Sequence, residues 1–218
     1  METLSHILDF FLHLDQHLAD ILRDYGIYTY AILFLIVFVE TGLVVMPLLP
    51  GDSLLFAAGA LASSTGQLDV RLIIVLLIAA ALLGDNTNYF IGRFLGRLIK
   101  SKQRILFLKK EYIQKTEEFY ARHGGKTVIM ARFIPIVRTI APFVAGAGSM
   151  AYPRYIVYCI TGALLWVGGI TLLGFWFGNI PVVKKNFEIV ILTIILVSVA
   201  PIFIAYFRAR YAGAGAGR

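Results

Sequence analysis

Charge is scarce in this 218-residue chain: Asp, Glu, Lys and Arg together make up 15% of it, against about 25% in a soluble domain. Its one cysteine, Cys159, lies in an apolar run and cannot form an internal disulfide. The histidines His6, His13, His17 and His123 fall on polar, surface-type segments. Neither metal-ligand spacing nor a serine–base motif appears, so no metal, cofactor or enzymatic activity is expected. The N-terminal stretch also lacks the basic start of a cleavable signal peptide, since it opens with Glu2, Asp9, Asp15, Asp20 and Asp24.

What the chain has in excess is apolar sequence. Hydrophobic residues make up 59%, and the mean hydropathy is +0.79. The stretch 189–207 contains no charged residue and only one proline, Pro201. As a helix it would be about 28 Å long, close to the ~30 Å thickness of a bilayer's hydrocarbon. The chain therefore reads as an all-α, multispanning membrane protein forming one membrane domain over 1–218.

The net charge of +7 is unevenly placed, with ten of the twenty Lys and Arg residues in 93–126. The positive-inside rule puts that loop in the cytoplasm. Arg208, Arg210 and Arg218 follow the last span, so both termini are expected on the same side. Basic residues flanking apolar spans are ordinary for membranes, and nucleic-acid binding is not expected.

Along the chain, Leu4, Ile7, Leu8, Phe11, Leu18, Ile21 and Leu22 recur at helical spacing, which predicts an amphipathic surface helix over 1–26. A first unit, 27–98, holds an apolar segment at 43–62 broken by Pro47, Pro50 and Gly51. The piece after that break, Ser53–Ala62, would reach only about 15 Å as a helix, the length of a re-entrant half-helix. Residues 99–126 form the basic loop with a second amphipathic stretch. A second unit, 127–178, holds a segment at 127–150 broken by Pro135 and Pro142. A final span at 189–207 precedes a flexible tail, 208–218. Ala57-Ala58-Gly59 is echoed by Val144-Ala145-Gly146, and Gly92-x-x-x-Gly96 by Gly174-x-x-x-Gly178. With the basic loop inside, the two broken segments open to opposite sides, as in the inverted repeats of transporters. Small-residue spacing also serves ordinary helix packing, and it leaves a homo-oligomer open.

Ionisable groups at membrane depth cost several kcal/mol and need a partner or a purpose. Five qualify: Glu40, Asp52, Asp85, Arg132 and Arg138. Asp52, followed by Ser53, is placed to N-cap the half-helix. Asp85 shares a helix face with Asn88 and Tyr89. Arg132 and Arg138 flank Pro135 and cannot shed their protons, so they require anionic company. Internal pairing with the three carboxylates supplies it; so does a phosphate, which a guanidinium grips with two parallel hydrogen bonds. An exchange between the two, with a carboxylate taking up a proton, would couple transport to protons.

The motifs Glu40-Thr-Gly, Pro50-Gly-Asp-Ser-Leu-Leu, Gly84-Asp85 with Asn88-Tyr89, His123-Gly-Gly-Lys, Arg132-Phe-x-Pro-x-x-Arg138-Thr139 and Ala141-Pro-Phe-Val-Ala-Gly resemble the bacterial DedA family over about residues 8–207. The eukaryotic VTT-domain lipid scramblases look like distant relatives. The resemblance implies a multi-pass protein of the bacterial inner membrane with two opposed re-entrant hairpins. It further implies recycling of undecaprenyl phosphate, proton-motive-force maintenance and resistance to antibiotics and envelope stress. On the family pattern Glu40 and Asp52 form the acidic pair and Arg132 and Arg138 the basic pair. The leading expectation is a lipid-phosphate flippase, whose partners are an anionic membrane lipid and protons. A proton-coupled transporter of small ions or cations is the second reading, and a less selective phospholipid scramblase is a variant of the first.

Overall fold

A computed structural model describes residues 14–42, 51–102, 104–105, 108–109, 124–148, 150–187, 189–194 and 196–197. Helix α1 (Leu14–Tyr25) turns through a 3-10 segment, Gly26–Tyr28, into α2 (Thr29–Gly42). Helix α3 (Gly51–Thr65) is followed by α4 (Val70–Lys102). A two-residue antiparallel pairing, β1 (Arg104–Ile105) with β2 (Leu108–Lys109), lies in the basic loop, a small departure from the all-helical expectation. Then come α5 (Lys126–Ala131), α6 (Pro135–Ala147) and α7 (Tyr152–Ala163). A π turn over Leu164–Gly168 carries α7 directly into α8 (Gly169–Phe177), and α9 (Pro181–Lys185) follows. Residues 189–194 and 196–197 are helical too.

Three stretches are long and apolar enough to cross a membrane: His17–Gly42, Val70–Arg97 and Tyr152–Phe177. Their outward side chains are greasy, as lipid rather than water would require: Ile27, Val75, Leu83, Phe94, Val157 and Trp176 are all more than half exposed. The chain is a helical membrane protein.

The first broken segment holds a helix longer than the sequence suggests, and the second a helix that starts afresh at Pro135. The helix expected over Ser53–Ala62 runs fifteen residues, Gly51–Thr65. Pro47 and Pro50, two of the expected breaks, lie outside the described residues, as do most of the amphipathic face at 1–13, the stretch 110–123, and 198–218. In the second segment α5 stops at Ala131, and Pro135 opens α6 behind an extended Ile134. A proline there is favourable, because a helix's first residue needs no N–H partner and its fixed φ already suits the helix. Pro142, by contrast, sits inside α6 and does not break it. The expected second break is therefore at Pro135 alone.

The apolar side of α1 is covered by protein. Leu18 and Leu22 are buried in the same core as Leu54, Leu55, Ala58 and Leu61 of α3.

The main packing is crosswise: α3 lies on α8, and α6 lies on α4. Where apolar lipid surrounds the helices, close approach supplies the adhesion, and small residues permit it. A Cβ on Gly174 would meet the Phe56 carbonyl, one on Gly178 would meet Ala60, and one on Gly59 the Thr171 carbonyl. The α4–α6 pair repeats these contacts at the same spacing. A Cβ on Gly92 would meet the Phe143 carbonyl, one on Gly96 Ala147, and one on Gly146 the Tyr89 carbonyl. The two echoed sequence patterns are thus the two surfaces of one interface used twice. Each broken segment's helix packs on the long helix of the other half.

Candidate functional site: two buried ion-pair clusters around one tryptophan

All five ionisable residues singled out in the sequence come together where these elements meet. Arg138, in α6, donates from Nη1 to Asp52 Oδ1 at 2.8 Å and from Nη2 to Glu40 Oε1. Arg132, in the turn after α5, donates from Nη1 to Asp85 Oδ2 at 2.6 Å. Of these side chains only Asp52 retains appreciable exposure, at 13%; Glu40 is at 1%. The two cations form separate clusters, one guanidinium with two acids and the other with one.

Backbone geometry brings Glu40 into place. Helix α2 ends at Gly42, whose Cβ position lies 3.3 Å from the Cα of Gly84, so the two backbones nearly touch beside Asp85. Glu40 then reaches the start of α3, where the Gly51 N–H donates to its Oε1 at 3.3 Å. This departs from the expected cap. Asp52 lies within the first turn and turns to Arg138, and the carboxylate accepting from the helix's first N–H comes from the neighbouring helix. Any side chain at Gly51 would run into the Glu40 carboxylate.

Asn88, on α4, ties α2 to the second broken segment. Its Nδ2 donates to the Thr41 carbonyl at the end of α2 and to the Thr139 carbonyl of α6, the latter at 3.5 Å. Asp85, Asn88 and Tyr89 are all buried, as their shared helix face implies. Ser53 and Thr139 are buried in the first turns of α3 and α6.

Three residues were not marked by the sequence. Cys159 donates its thiol to Asp85 Oδ2 at 3.3 Å, and the Tyr155 hydroxyl donates to the Asp85 carbonyl at 3.1 Å. Both lie on α7, where Gly162 leaves room for the Arg132 side chain. The third is Trp166, in the π turn. Its Nε1–H donates to Asp52 Oδ1 at 2.7 Å. The guanidinium carbons of Arg138 and Arg132 lie 4.7 and 5.5 Å from its ring centroid, within cation–π range. Position was the available signal: membrane tryptophans gather at the interfaces, whereas Trp166 sits mid-span. π turns within α-helices are frequent at functional sites.

A cavity of about 660 Å³ between α3, α8 and residues 189–197 has Asp52 and Trp166 in its wall. Its walls are otherwise apolar apart from Thr193, with Phe56, Ile170, Leu173 and Ile194 among them. Among the buried charged groups that contact Asp52 and Trp166, several polar atoms make no hydrogen bond among the described residues: Arg132 Nε and Nη2, Arg138 Nε, and Glu40 Oε2. Unused guanidinium donors in a dry site carry the full desolvation cost of an unmet hydrogen bond. Chemically, the arrangement offers donors for an anion behind Asp52 and Trp166, next to an apolar cavity. Among the described residues no group of His, Cys, Asp and Glu could hold a metal ion.

Residues 49–176 match the VTT domain family. The chain is 50% identical to Protein DedA of Escherichia coli K12 over 219 aligned residues, covering all of both chains. It is 33% identical to the inner membrane protein YghB of the same organism, over 88% of this chain and 84% of that one. It is 36% identical to the inner membrane protein YqjA, over 72% of this chain and 70% of that one. No solved structure matches.

Proposed function

The chain belongs to the DedA family of VTT-domain membrane proteins, and from that premise we propose that it is a lipid transporter, not an enzyme, moving a phosphate-bearing lipid across the bacterial inner membrane. Undecaprenyl phosphate is the lipid we assign. Its recycling to the inner leaflet would return the carrier on which envelope polymers are built.

One observation carries this reading: guanidinium groups with unused donors lie against Asp52 and Trp166, the two residues through which the charged site meets an apolar cavity large enough for a lipid chain. A phosphate accepts paired N–H bonds from a guanidinium, and isoprenoid or acyl chains fill greasy channels. The carboxylates on Arg132 and Arg138 hold the cations in the substrate-free state, and the phosphate takes the place of one carboxylate on each. The two broken segments act as hairpins entering from opposite faces, with the basic loop and both termini cytoplasmic. The crosswise repeated packing supports that arrangement.

The five groups comprise three acids and two bases, a formal excess of one negative charge, which a proton on one carboxyl neutralises. That excess favours proton coupling of the flip. It is also the observation behind a second reading, a proton-coupled transporter of cations, to which paired arginines are poorly suited. An unselective phospholipid scramblase would use the same cavity.

The experiment is translocation of labelled undecaprenyl phosphate in proteoliposomes by Arg132→Lys and Arg138→Lys. Each keeps the charge but loses the fork, and each is expected to slow translocation at least tenfold. Wild-type rates in both would remove the phosphate clamp. Transport of phosphatidylglycerol at the same rate would favour the scramblase.

A further inference from the structure

Trp166 stands at a junction that the lipid-phosphate reading leaves without an occupant or a role. It is 1% exposed, yet it makes contact with three of the five charged groups and also forms part of the cavity wall. Packing alone does not require this. A buried tryptophan needs one acceptor for its N–H, and the backbone supplies many. Here the acceptor is a carboxylate oxygen already engaged by Arg138. The residue sits in a π turn that ends at Gly168 and is followed by Gly169, and at either glycine an added Cβ would meet nothing within 4 Å. Those glycines are therefore not there for close packing. They leave the helix weakly held at the turn that aims the indole.

The two acids on Arg138 also differ in how they meet the cavity. Glu40 is enclosed and accepts the first N–H of α3. Asp52 faces the cavity and shares its Oδ1 between Arg138 and the indole. An anion arriving along the cavity meets Asp52 first.

We infer that Trp166 is the positioning residue of the site, and that an anionic headgroup displaces Asp52, not Glu40, by taking over the hydrogen bonds from Arg138 Nη1 and Trp166 Nε1. The ring keeps both guanidinium groups within reach while the acid swings away, so a headgroup can be held by one cation and pass to the other. Glu40 stays on Arg138 and on the start of α3 throughout. The inference rests on the lipid-phosphate reading and assigns the step within it.

The chain has two tryptophans, and Trp176 is an exposed residue of α8 that does not line the cavity. Trp176→Phe therefore leaves Trp166 as the only indole, and its emission reports on the site. Detergent-solubilised Trp176→Phe protein is titrated with a polyprenyl monophosphate, the matching polyprenol, and inorganic phosphate, with thermal stabilisation measured alongside. The monophosphate is expected to stabilise the protein and shift the Trp166 emission, while the alcohol leaves the emission unchanged. An emission shift with inorganic phosphate alone would show that the headgroup is sufficient. In the two-tryptophan protein, Trp166→Phe keeps a ring and loses the N–H, and is expected to weaken monophosphate binding about tenfold. Trp166→Leu loses both and should weaken it further. Stabilisation by the monophosphate with an unchanged Trp166 emission, or unweakened binding by both variants, overturns the role of Trp166 and leaves the lipid reading standing. No stabilisation by any phosphate-bearing probe overturns the two together.

Discussion

The helix pairs α3–α8 and α4–α6 meet through the same glycine contacts at the same spacing, yet the helix starts they hold carry opposite chemistry. Helix α3 opens with Gly51 and Asp52, and helix α6 places Arg138 and Thr139 in its first turns. The packing repeats because close backbone approach in lipid has few solutions, and small residues at four-residue spacing are one of them. The charges differ because two like half-sites would repel at the point where they converge. A repeated frame with unlike ends brings acid and base together without water.

The largest test of that comparison removes one cation at a time. Arg138→Ala leaves two carboxylates facing each other in a dry site, and breaking a buried pair this way costs about 3–5 kcal/mol. Arg132→Ala leaves only Asp85 unpaired and should lower the melting temperature in detergent by less. If both lower it equally, the two-acid and one-acid clusters are not energetically distinct. Arg132→Leu combined with Asp85→Leu should recover most of the lost stability while transport stays absent, since neither member of that pair is left without the other.

The glycine interfaces test the other half of the comparison. Gly59→Ala and Gly146→Ala each drive a methyl into a facing carbonyl, and overpacking of that kind costs about 1–3 kcal/mol. The pair is expected to lose stability to a similar extent in thermal unfolding. A large loss in only one would mean that the repeated register carries unequal weight. The smallest effect belongs to Gly168→Ala, which meets no atom and gains up to about 1 kcal/mol of helix propensity. It should melt no lower than wild type but translocate lipid more slowly, because a stiffer turn hinders movement of the indole. Unchanged transport would mean that the π turn aims Trp166 without needing to flex.

Much of the site was legible because charge in apolar sequence is conspicuous. Glu40, Asp52, Asp85, Arg132 and Arg138 stand out against their flanks, and Pro135 marks a break that the backbone makes. Pro142 misled: it lies inside α6, where it forgoes one N–H bond without ending the helix. The Asp52 cap also failed as an expectation. Sequence sees only neighbours along the chain, and the Gly51 N–H found its acceptor eleven residues back, on α2.

The sequence by itself determined that this is a helical membrane protein with two interrupted segments and five charges that must find company, because composition and the cost of bare charge in lipid permit little else. Which acid pairs with which arginine was decided by the tertiary structure alone. So were the crosswise packing of each half on the other and the placing of Trp166 between the two clusters. Those pairings join residues 47 to 114 positions apart. Only the close contact of glycine-faced helices fixes the distances over which a guanidinium, a carboxylate and an indole can share a hydrogen bond.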